Sequence, residues 1–174
     1  MESSVVAAKT ATRWMTLAFS PISRSLGAIR GRATSWPVEE QMCIRDSIDA
    51  PMLKPALDTM NLDSVDLLFL ENIGNLVCPA EFDTGATCSI MLLSVPEGDD
   101  KVLKYPLMFT VCDLLLVTKT DCQAMFDFDL KKLTTRVHQL NPNMKIIPVS
   151  SKTGENMDAW ISWLKERREA FIKN

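Results

Sequence analysis

The sequence predicts an α/β fold in which a largely parallel sheet carries helices on both faces. The first observation is that apolar runs such as residues 67–70 and 114–117 lack polar alternation, which is typical of strands buried on both faces. The second is that segments with helical apolar spacing stand between and after such runs. Strands separated by helices favour a parallel sheet, and the ligands of such sheets lie at the carboxyl ends of the strands.

The individual elements are predicted from residue 48 onward by their apolar patterns. In chain order they are a short amphipathic helix (52–60), three strands (66–71, 89–95 and 113–118), a helix (128–140), a strand (145–149) and a helix from about Met157. The helix over 128–140 places four apolar residues on one face: Leu130, Leu133, Val137 and Leu140. The last helix does so with Met157, Trp160, Ile161, Leu164 and Phe171, so its tryptophans are expected in the core.

Residues 1–47 differ in composition from the rest of the chain. Ser, Thr, Ala and Arg are scattered through them without a sustained apolar period, and glycines stand at Gly27 and Gly31. No folded unit is expected there, although the stretch up to Trp36, in which Glu2 is the only acid against Lys9 and four arginines, also suits an organelle transit peptide. The string MCIRDS, residues 42–47, looks like translated sequencing-adaptor sequence. We therefore predict an unstructured or spurious segment 1–47 and a folded unit over 48–174.

Composition excludes several classes of partner. The 174 residues carry 19 basic and 22 acidic side chains, a net charge of -3, and no dense Lys/Arg cluster, so no nucleic-acid partner is expected. The longest apolar runs fall far short of the roughly 20 residues that a membrane span needs. The five cysteines form no CxxC pair, which fits a reducing compartment. We expect a cytoplasmic protein without a membrane partner.

The first predicted strand runs directly into polar residues. Glu71 stands at its carboxyl end and Gly74 follows shortly after, within DLLFLENIGNLVCP at residues 66–79. A carboxylate there can orient a magnesium ion through water. A glycine lets a backbone N–H approach a terminal phosphate without a Cβ in the way. A strand cap followed by a turn remains the alternative interpretation of these two residues.

Two later strands also end in polar residues. After the strand over 113–118, the carboxylate of Asp121 can accept hydrogen bonds from the guanine N1–H and exocyclic amine, a donor pair that adenine lacks. Lys119 has an apolar stem that can lie over a base. After the strand over 145–149, backbone N–H groups around Ser151 and Lys152 can meet the guanine O6. The three strand ends are expected to converge on one crevice.

These residues also carry a family resemblance that covers about the last three quarters of the chain. From residue 48 the sequence resembles the HypB family, the nickel-incorporation GTPases of hydrogenase maturation. The matching stretches are ENIGNLVCPAEFDTG, SVPEGDDKVLKYPLMF, TKTD and LNPNMKIIPVSSKTGENMDAW. The resemblance implies a fold similar to P-loop GTPases of the signal-recognition and nitrogenase-iron-protein type, so that residues 48–174 form a partial, truncated GTPase domain. It also implies GTP or GDP with Mg²⁺, nickel transfer to a hydrogenase precursor, other maturation proteins as partners, and a homodimer for the intact family member.

Site residues are carried over by motif. The resemblance assigns Glu71 and Gly74 to the catalytic magnesium and terminal-phosphate switch, Cys78 to a Ni²⁺ or Zn²⁺ site, and five residues to the guanine site and its backing loop: Thr118, Lys119, Asp121, Ser151 and Lys152. Thr118 stands where asparagine is usual in the family. Signal-recognition GTPases also have threonine at this position. This departure predicts weaker hydrogen bonding between the two base-binding loops. Without the motif, Cys78 is a small buried apolar residue.

Two features of the family are missing from this sequence. No GxxxxGK[ST] P-loop precedes ENIGN, although such a loop holds the β- and γ-phosphates. Asp46-Ser47 stand where the family has a Cys-His pair, which leaves Cys78 as a single metal ligand where three or four are normal. The sole histidine, His138, is interpreted as solvent-facing or structural. A truncated or mis-joined gene explains both losses, and it predicts a chain that does not hydrolyse GTP.

Two alternatives of other kinds remain open from the sequence. One is a non-catalytic metallochaperone or docking module built on the GTPase scaffold. The other is an ATP-using relative, because strand ends alone do not determine the base. Asp121 argues against the second alternative.

Overall fold

The protein is described by a computed structural model that covers residues 13–19, 54–55, 57–60, 65–71 and 85–173. The described strands are β1 (Arg13–Phe19), β2 (Leu67–Glu71), β3 (Cys88–Ser94), β4 (Leu114–Thr118) and β5 (Lys145–Pro148). The helices are α1 (Lys101–Lys104), α2 (Pro106–Val111), α3 (Leu130–Leu140) and α4 (Met157–Lys173), with 3-10 turns at Val95–Glu97 and Thr120–Met125. The predicted strands and the last two predicted helices are thus confirmed within one or two residues at each end.

The strands form one sheet in the order β2-β1-β3-β4-β5. β3, β4 and β5 are parallel, with Ile90 opposite Leu114 and Leu114 opposite Lys145. β1 is antiparallel to both β2 and β3, so β2 runs in the same direction as β3. The prediction of a largely parallel sheet is confirmed, because four of the five described strands share one direction.

Strand β1 is an element that the sequence does not predict. It lies within residues 1–47, where no folded unit was expected, and it pairs Met15 with both Glu71 and Ile90. Between β2 and β3 it supplies backbone partners to an inner edge of each strand, which would otherwise carry unpaired N–H and C=O groups. The rest of residues 1–47 and the proposed boundary at residue 48 lie outside the described residues.

Helices cover both faces of the sheet, as predicted. Side chains of successive strand residues point to opposite faces, so Leu115 and Val117 join one core cluster while Leu114 and Leu116 join the other. The first cluster includes apolar residues of α1, α2 and α3, and the second includes those of α4. Trp163 of α4 is the largest side chain that is fully buried, and burial of such a side chain stabilises the fold by about 3 kcal/mol.

Helix α3 begins and ends for identifiable reasons. The Asp129 carboxylate accepts hydrogen bonds from the amides of Lys131 and Lys132 at 2.9 and 3.0 Å, which caps the amino end. Leu133 and Val137 are buried, whereas Leu140 is 39% exposed, so the predicted apolar face ends before Leu140. His138 is exposed, and its Nε2 lies 3.1 Å from the carbonyl oxygen of Met144, in agreement with a structural role.

Helix α4 is held to the sheet by aromatic packing and by one ion pair. The rings of Trp160 and Trp163 stack with centroids 5.7 Å apart, which confirms that the tryptophan pair belongs to the core. Arg168, which is 6% exposed, donates to the carboxylate of Asp66 at 2.7 Å. This bond fixes the far end of α4 next to the residue that precedes β2. Among the described residues, no helix is long and apolar enough to cross a membrane.

Of the helix predicted over 52–60, residues 54–55 and 57–60 are described, and 54–55 and 57–58 are helical. Its last turn carries a hydrogen bond from the amide of Met60 to the carbonyl of Leu57 at 3.0 Å. On the exposed side, Lys54 and Asp58 form an ion pair at 2.9 Å one turn apart.

Candidate functional site

The carboxyl ends of β4 and β5 bring two polar loops together. The two strands are adjacent and parallel, with Val117 opposite Pro148. Beyond them the pairing continues, because the Val149 amide donates to the Val117 carbonyl at 2.7 Å and the Thr120 amide donates to the Val149 carbonyl at 3.3 Å. We call residues 118–122 the first loop and residues 149–155 the second loop. Their contact follows directly from the strand order.

Asp121 is the charged residue at the centre of this contact. Its side chain is 13% exposed. Oδ1 accepts a hydrogen bond from the Ser150 hydroxyl at 2.6 Å, Oδ2 accepts one from the Cys122 thiol at 3.5 Å, and the Lys152 ammonium lies 3.9 Å from Oδ2. The Ser150 hydrogen bond is the main cause that lowers the pKa of the Asp121 carboxyl. The group is therefore an anion at neutral pH.

The ionised carboxylate keeps room for further donors. A carboxylate has about four lone-pair sites, and one well-formed hydrogen bond, from Ser150, uses one of them on Oδ1. The thiol of Cys122 is a weak donor. By this count each oxygen can accept one further N–H, and the N1–H and exocyclic amine of guanine together present two such donors.

Lys119 sets the course of the first loop. It adopts a left-handed backbone conformation with φ 61°, which is uncommon for a residue other than glycine and occurs often at functional sites. Directly after it, the chain enters the 3-10 turn Thr120–Met125, where the Cys122 amide donates to the Lys119 carbonyl at 3.0 Å. The sharp turn after β4 brings Asp121 to Ser150 of the neighbouring loop.

The second loop is closed by its own hydrogen bonds. The Ser150 carbonyl accepts from the Gly154 amide at 2.9 Å, and the Ser150 amide donates to the Glu155 carbonyl at 3.1 Å. Gly154 has φ 82°, a conformation that a glycine adopts without strain. The Ser150 hydroxyl also accepts from the Thr153 amide at 3.2 Å. Ser150 is fully buried and organises the whole loop.

The structure places the predicted guanine-site residues on these two loops. Thr118, Lys119 and Asp121 are on the first loop, while Ser151 and Lys152 are exposed on the second. Sequence reasoning missed Ser150, which contacts Asp121, and Glu155, which accepts a hydrogen bond from the Thr120 hydroxyl at 2.7 Å. The available signal was the first serine of SSKTG, which stands directly after the strand.

The remaining predicted strand end, at Glu71, lies at the same edge of the sheet but on a strand that is not adjacent to β4 or β5. Glu71 ends β2, and strands β1 and β3 stand between β2 and β4. At about 4.8 Å per strand, this separation is about 14 Å. That distance suits a nucleotide whose base lies at β4 and β5 and whose phosphates extend toward β2. Gly74 and Cys78 lie outside the described residues.

The described residues offer no metal centre of their own. Among them, no group of three or more His, Cys, Asp or Glu side chains could hold a metal ion. Burial raises the pKa of Cys88 to about 11 and that of Cys112 to about 12. Both thiols are thus protonated at neutral pH, and a thiol must lose its proton to bind a metal.

Comparison with known proteins gives a family match that covers more than half of the chain. Residues 41–148 match the family described as CobW/HypB/UreG, nucleotide-binding domain. The chain belongs to this CobW/HypB/UreG family. The matched region contains both β4 and β5 and begins at residue 41, so it includes the MCIRDS string. The predicted resemblance to HypB proteins is also confirmed by individual relatives.

The similar proteins are HypB proteins of bacteria and archaea. The hydrogenase maturation factor HypB of Escherichia coli K12 is 42% identical over 142 residues, which are 81% of this chain and 49% of the relative. A crystal structure of HypB from Helicobacter pylori in complex with nickel has a TM-score of 0.71 at 36% identity, covering 74% of this chain and 62% of that one. The crystal structure of the hydrogenase maturation factor HypB from Archaeoglobus fulgidus has a TM-score of 0.67 at 35% identity. The match covers 71% of this chain and 66% of that one. The chain spans about half the length of the curated relatives it matches.

Proposed function

We propose that this chain carries the guanine-recognising part of a HypB-type GTP-binding domain that serves hydrogenase maturation. The observation that carries the proposal is the ionised Asp121 carboxylate at the carboxyl end of β4, held by Ser150 of the neighbouring loop at 2.6 Å. Membership of a nucleotide-binding family supports the ligand class. The choice of base rests on the chemistry of Asp121.

Guanine is selected because it supplies two donors to one carboxylate. Its N1–H and exocyclic amine each meet one oxygen of Asp121, while the stem of Lys119 covers the ring and amides near Ser151 approach O6. Adenine has no donor at N1, so it would exclude water from the carboxylate without filling the remaining acceptor positions. We expect GDP to bind at least about tenfold more tightly than ADP.

The remaining assignments extend the proposal to the rest of the nucleotide and to the metal cargo. Glu71 is an exposed carboxylate at the end of β2, and oxygen ligands of this kind suit Mg²⁺. Gly74 would allow a backbone amide near the terminal phosphate, and Cys78 would contribute a thiolate to transient binding of Ni²⁺ or Zn²⁺. The proposed partners are a hydrogenase precursor, other maturation proteins and a second copy of the intact protein.

Turnover is a separate matter from binding. The 174 residues contain no GxxxxGK[ST] sequence, and a P-loop supplies the amides and lysine that stabilise charge on the transferred phosphate. We propose that the chain binds guanine nucleotides without hydrolysing GTP.

The Asp121→Asn variant tests the choice of base. Asparagine presents an amide N–H₂ in place of one carboxylate oxygen, which suits the carbonyl at C2 of xanthine and clashes with the amine of guanine. We expect the variant to lose affinity for GDP by about tenfold or more and to gain affinity for xanthosine diphosphate. Competition against a fluorescent N-methylanthraniloyl derivative of GDP measures both.

The matched control is Asp127→Asn, which removes the charge of an exposed aspartate six positions along the chain. This variant is expected to bind both nucleotides as the unchanged chain does. If Asp121→Asn loses affinity for GDP, ADP and xanthosine diphosphate to the same extent, Asp121 supports the loop but does not recognise the base. That result would refute the proposal.

A further inference from the structure

The first and second loops are joined by a side-chain hydrogen bond from Thr120 to Glu155, in addition to the one from Ser150 to Asp121. In the resembled family, asparagine is usual at the position of Thr118, and threonine there predicts weaker bonding between the loops. Among the described residues, two side-chain hydroxyls span the loops: that of Ser150 donates to Asp121 at 2.6 Å, and Oγ1 of Thr120 donates to Oε2 of Glu155 at 2.7 Å. We propose that Thr120 and Glu155 are positioning residues for guanine, and this inference rests on the function proposed above.

Thr120 is attached to the second loop by both its backbone and its side chain. Its amide donates to the Val149 carbonyl at 3.3 Å, while its hydroxyl donates to Glu155 at 2.7 Å. The two acceptors lie at opposite ends of the second loop. Thr120 therefore fixes the distance between the strand end and the beginning of α4, and with it the shape of the loop that backs the base.

Glu155 completes a closed path of hydrogen bonds that returns to Asp121. Its carbonyl accepts from the Ser150 amide at 3.1 Å, and the Ser150 hydroxyl donates to Asp121 at 2.6 Å. Asp121 follows Thr120 directly in the chain. The path thus runs from Thr120 through Glu155 and Ser150 to Asp121, so that loss of one bond loosens the placement of the carboxylate that meets the base.

The bond is charge-assisted but lies at the surface, because Glu155 is exposed. Hydrogen bonds to charged groups are stronger than neutral ones, and exposure to water reduces their net contribution. Its main effect is orientation, since a small displacement of a recognition group weakens a directional contact more than it weakens general packing. We expect its loss to lower GDP affinity about threefold to tenfold and to leave ADP affinity unchanged.

A double-mutant cycle tests the pair on the full 174-residue chain. Thr120→Val removes the hydroxyl at constant shape, Thr120→Ser retains it, and Glu155→Ala removes the acceptor. GDP and ADP affinities are measured by competition with the fluorescent GDP derivative. Thr120→Val and Glu155→Ala are expected to lose GDP affinity to a similar extent, the double variant no more than either alone, and Thr120→Ser to bind as the unchanged chain does.

The control variant is Thr135→Val in α3, whose hydroxyl donates to the Lys131 carbonyl within the same helix at 2.9 Å. It changes the same side chain without touching either loop, and GDP affinity should stay as it is. Additive losses in the double variant, or equal losses in Thr120→Val and Thr120→Ser, would overturn the inference.

Amide hydrogen exchange of the nucleotide-free chain separates this inference from the proposed function. Thr120→Val should speed exchange of the Ser150 amide, which lies on the other loop, while Thr135→Val should not. If the chain shows this coupling but binds GDP and ADP equally, guanine recognition is refuted, while the structural coupling of the loops by Thr120 and Glu155 stands. If the chain selects guanine but the variants show neither the coupling nor the affinity loss, only the positioning role of Thr120 and Glu155 is refuted.

Discussion

The charge of Asp121 is stabilised by a residue that lies 29 positions away in the chain. The hydroxyl of Ser150 lowers the pKa of the Asp121 carboxyl, and partial burial opposes it. Because the pKa is lower in the folded chain than in the unfolded one, ionisation of Asp121 favours folding. This contribution is complete above the ordinary aspartate pKa of about 4, and it is lost as the pH falls through the lowered value.

The Ser150→Ala variant tests this arrangement at the scale of one residue. Without the hydroxyl, the pKa of Asp121 is expected to rise toward its ordinary value, so that the carboxylate takes up its proton at higher pH. The ¹³C chemical shift of the Asp121 carboxyl, followed from pH 7 to pH 2, measures the change. Ser151→Ala removes a neighbouring exposed hydroxyl and should leave the titration as it is. A Ser150→Ala titration that coincides with that of the unchanged chain would contradict the assigned cause.

At the scale of elements, α4 is the helix that covers one face of the sheet. Its Trp163 is 2% exposed and packs in the cluster that contains Leu114, Leu116 and Ile147. Trp163→Ala leaves a cavity and is expected to lower the free energy of unfolding by about 3–5 kcal/mol. Urea unfolding followed by circular dichroism measures this, with exposed Ser162→Ala as the control. A loss below about 1 kcal/mol would show that α4 does not anchor the fold.

The elements also show which parts of the fold can be predicted from sequence. Strands β3 and β4 are predictable because strands buried on both faces carry nearly continuous apolar runs, here residues 90–93 and 114–117. Strand β1 is not, because its seven residues lie in a segment without other periodic pattern and their partners are 48 or more positions away. The exposure of Leu140 is likewise set by where the neighbouring elements end.

For the candidate site, the sequence predicts which strand ends are polar but not which of them meet. Asp121 and Lys119 are found by their position after an apolar run. Ser150 and Glu155 are missed because their role depends on which strands are neighbours, and strand order is a property of the whole sheet. For the same reason, the sequence does not show that two strands, β1 and β3, separate Glu71 from the first loop.

For the molecule as a whole, we propose that one edge of the sheet binds a guanine nucleotide with the base at β4 and β5. Family membership supports a nucleotide, and the geometry of the two loops supports the base. Because the chain spans about half the length of its curated relatives, binding by this chain has to be measured directly.

The measurement that tests this claim most directly is a two-dimensional ¹H–¹⁵N spectrum of the chain titrated with GDP and, separately, with ADP. We expect GDP to shift the amide signals of residues 118–122 and 149–155 at concentrations at which ADP leaves them unchanged. Equal shifts with both nucleotides, or shifts confined to residues outside these loops, would contradict it.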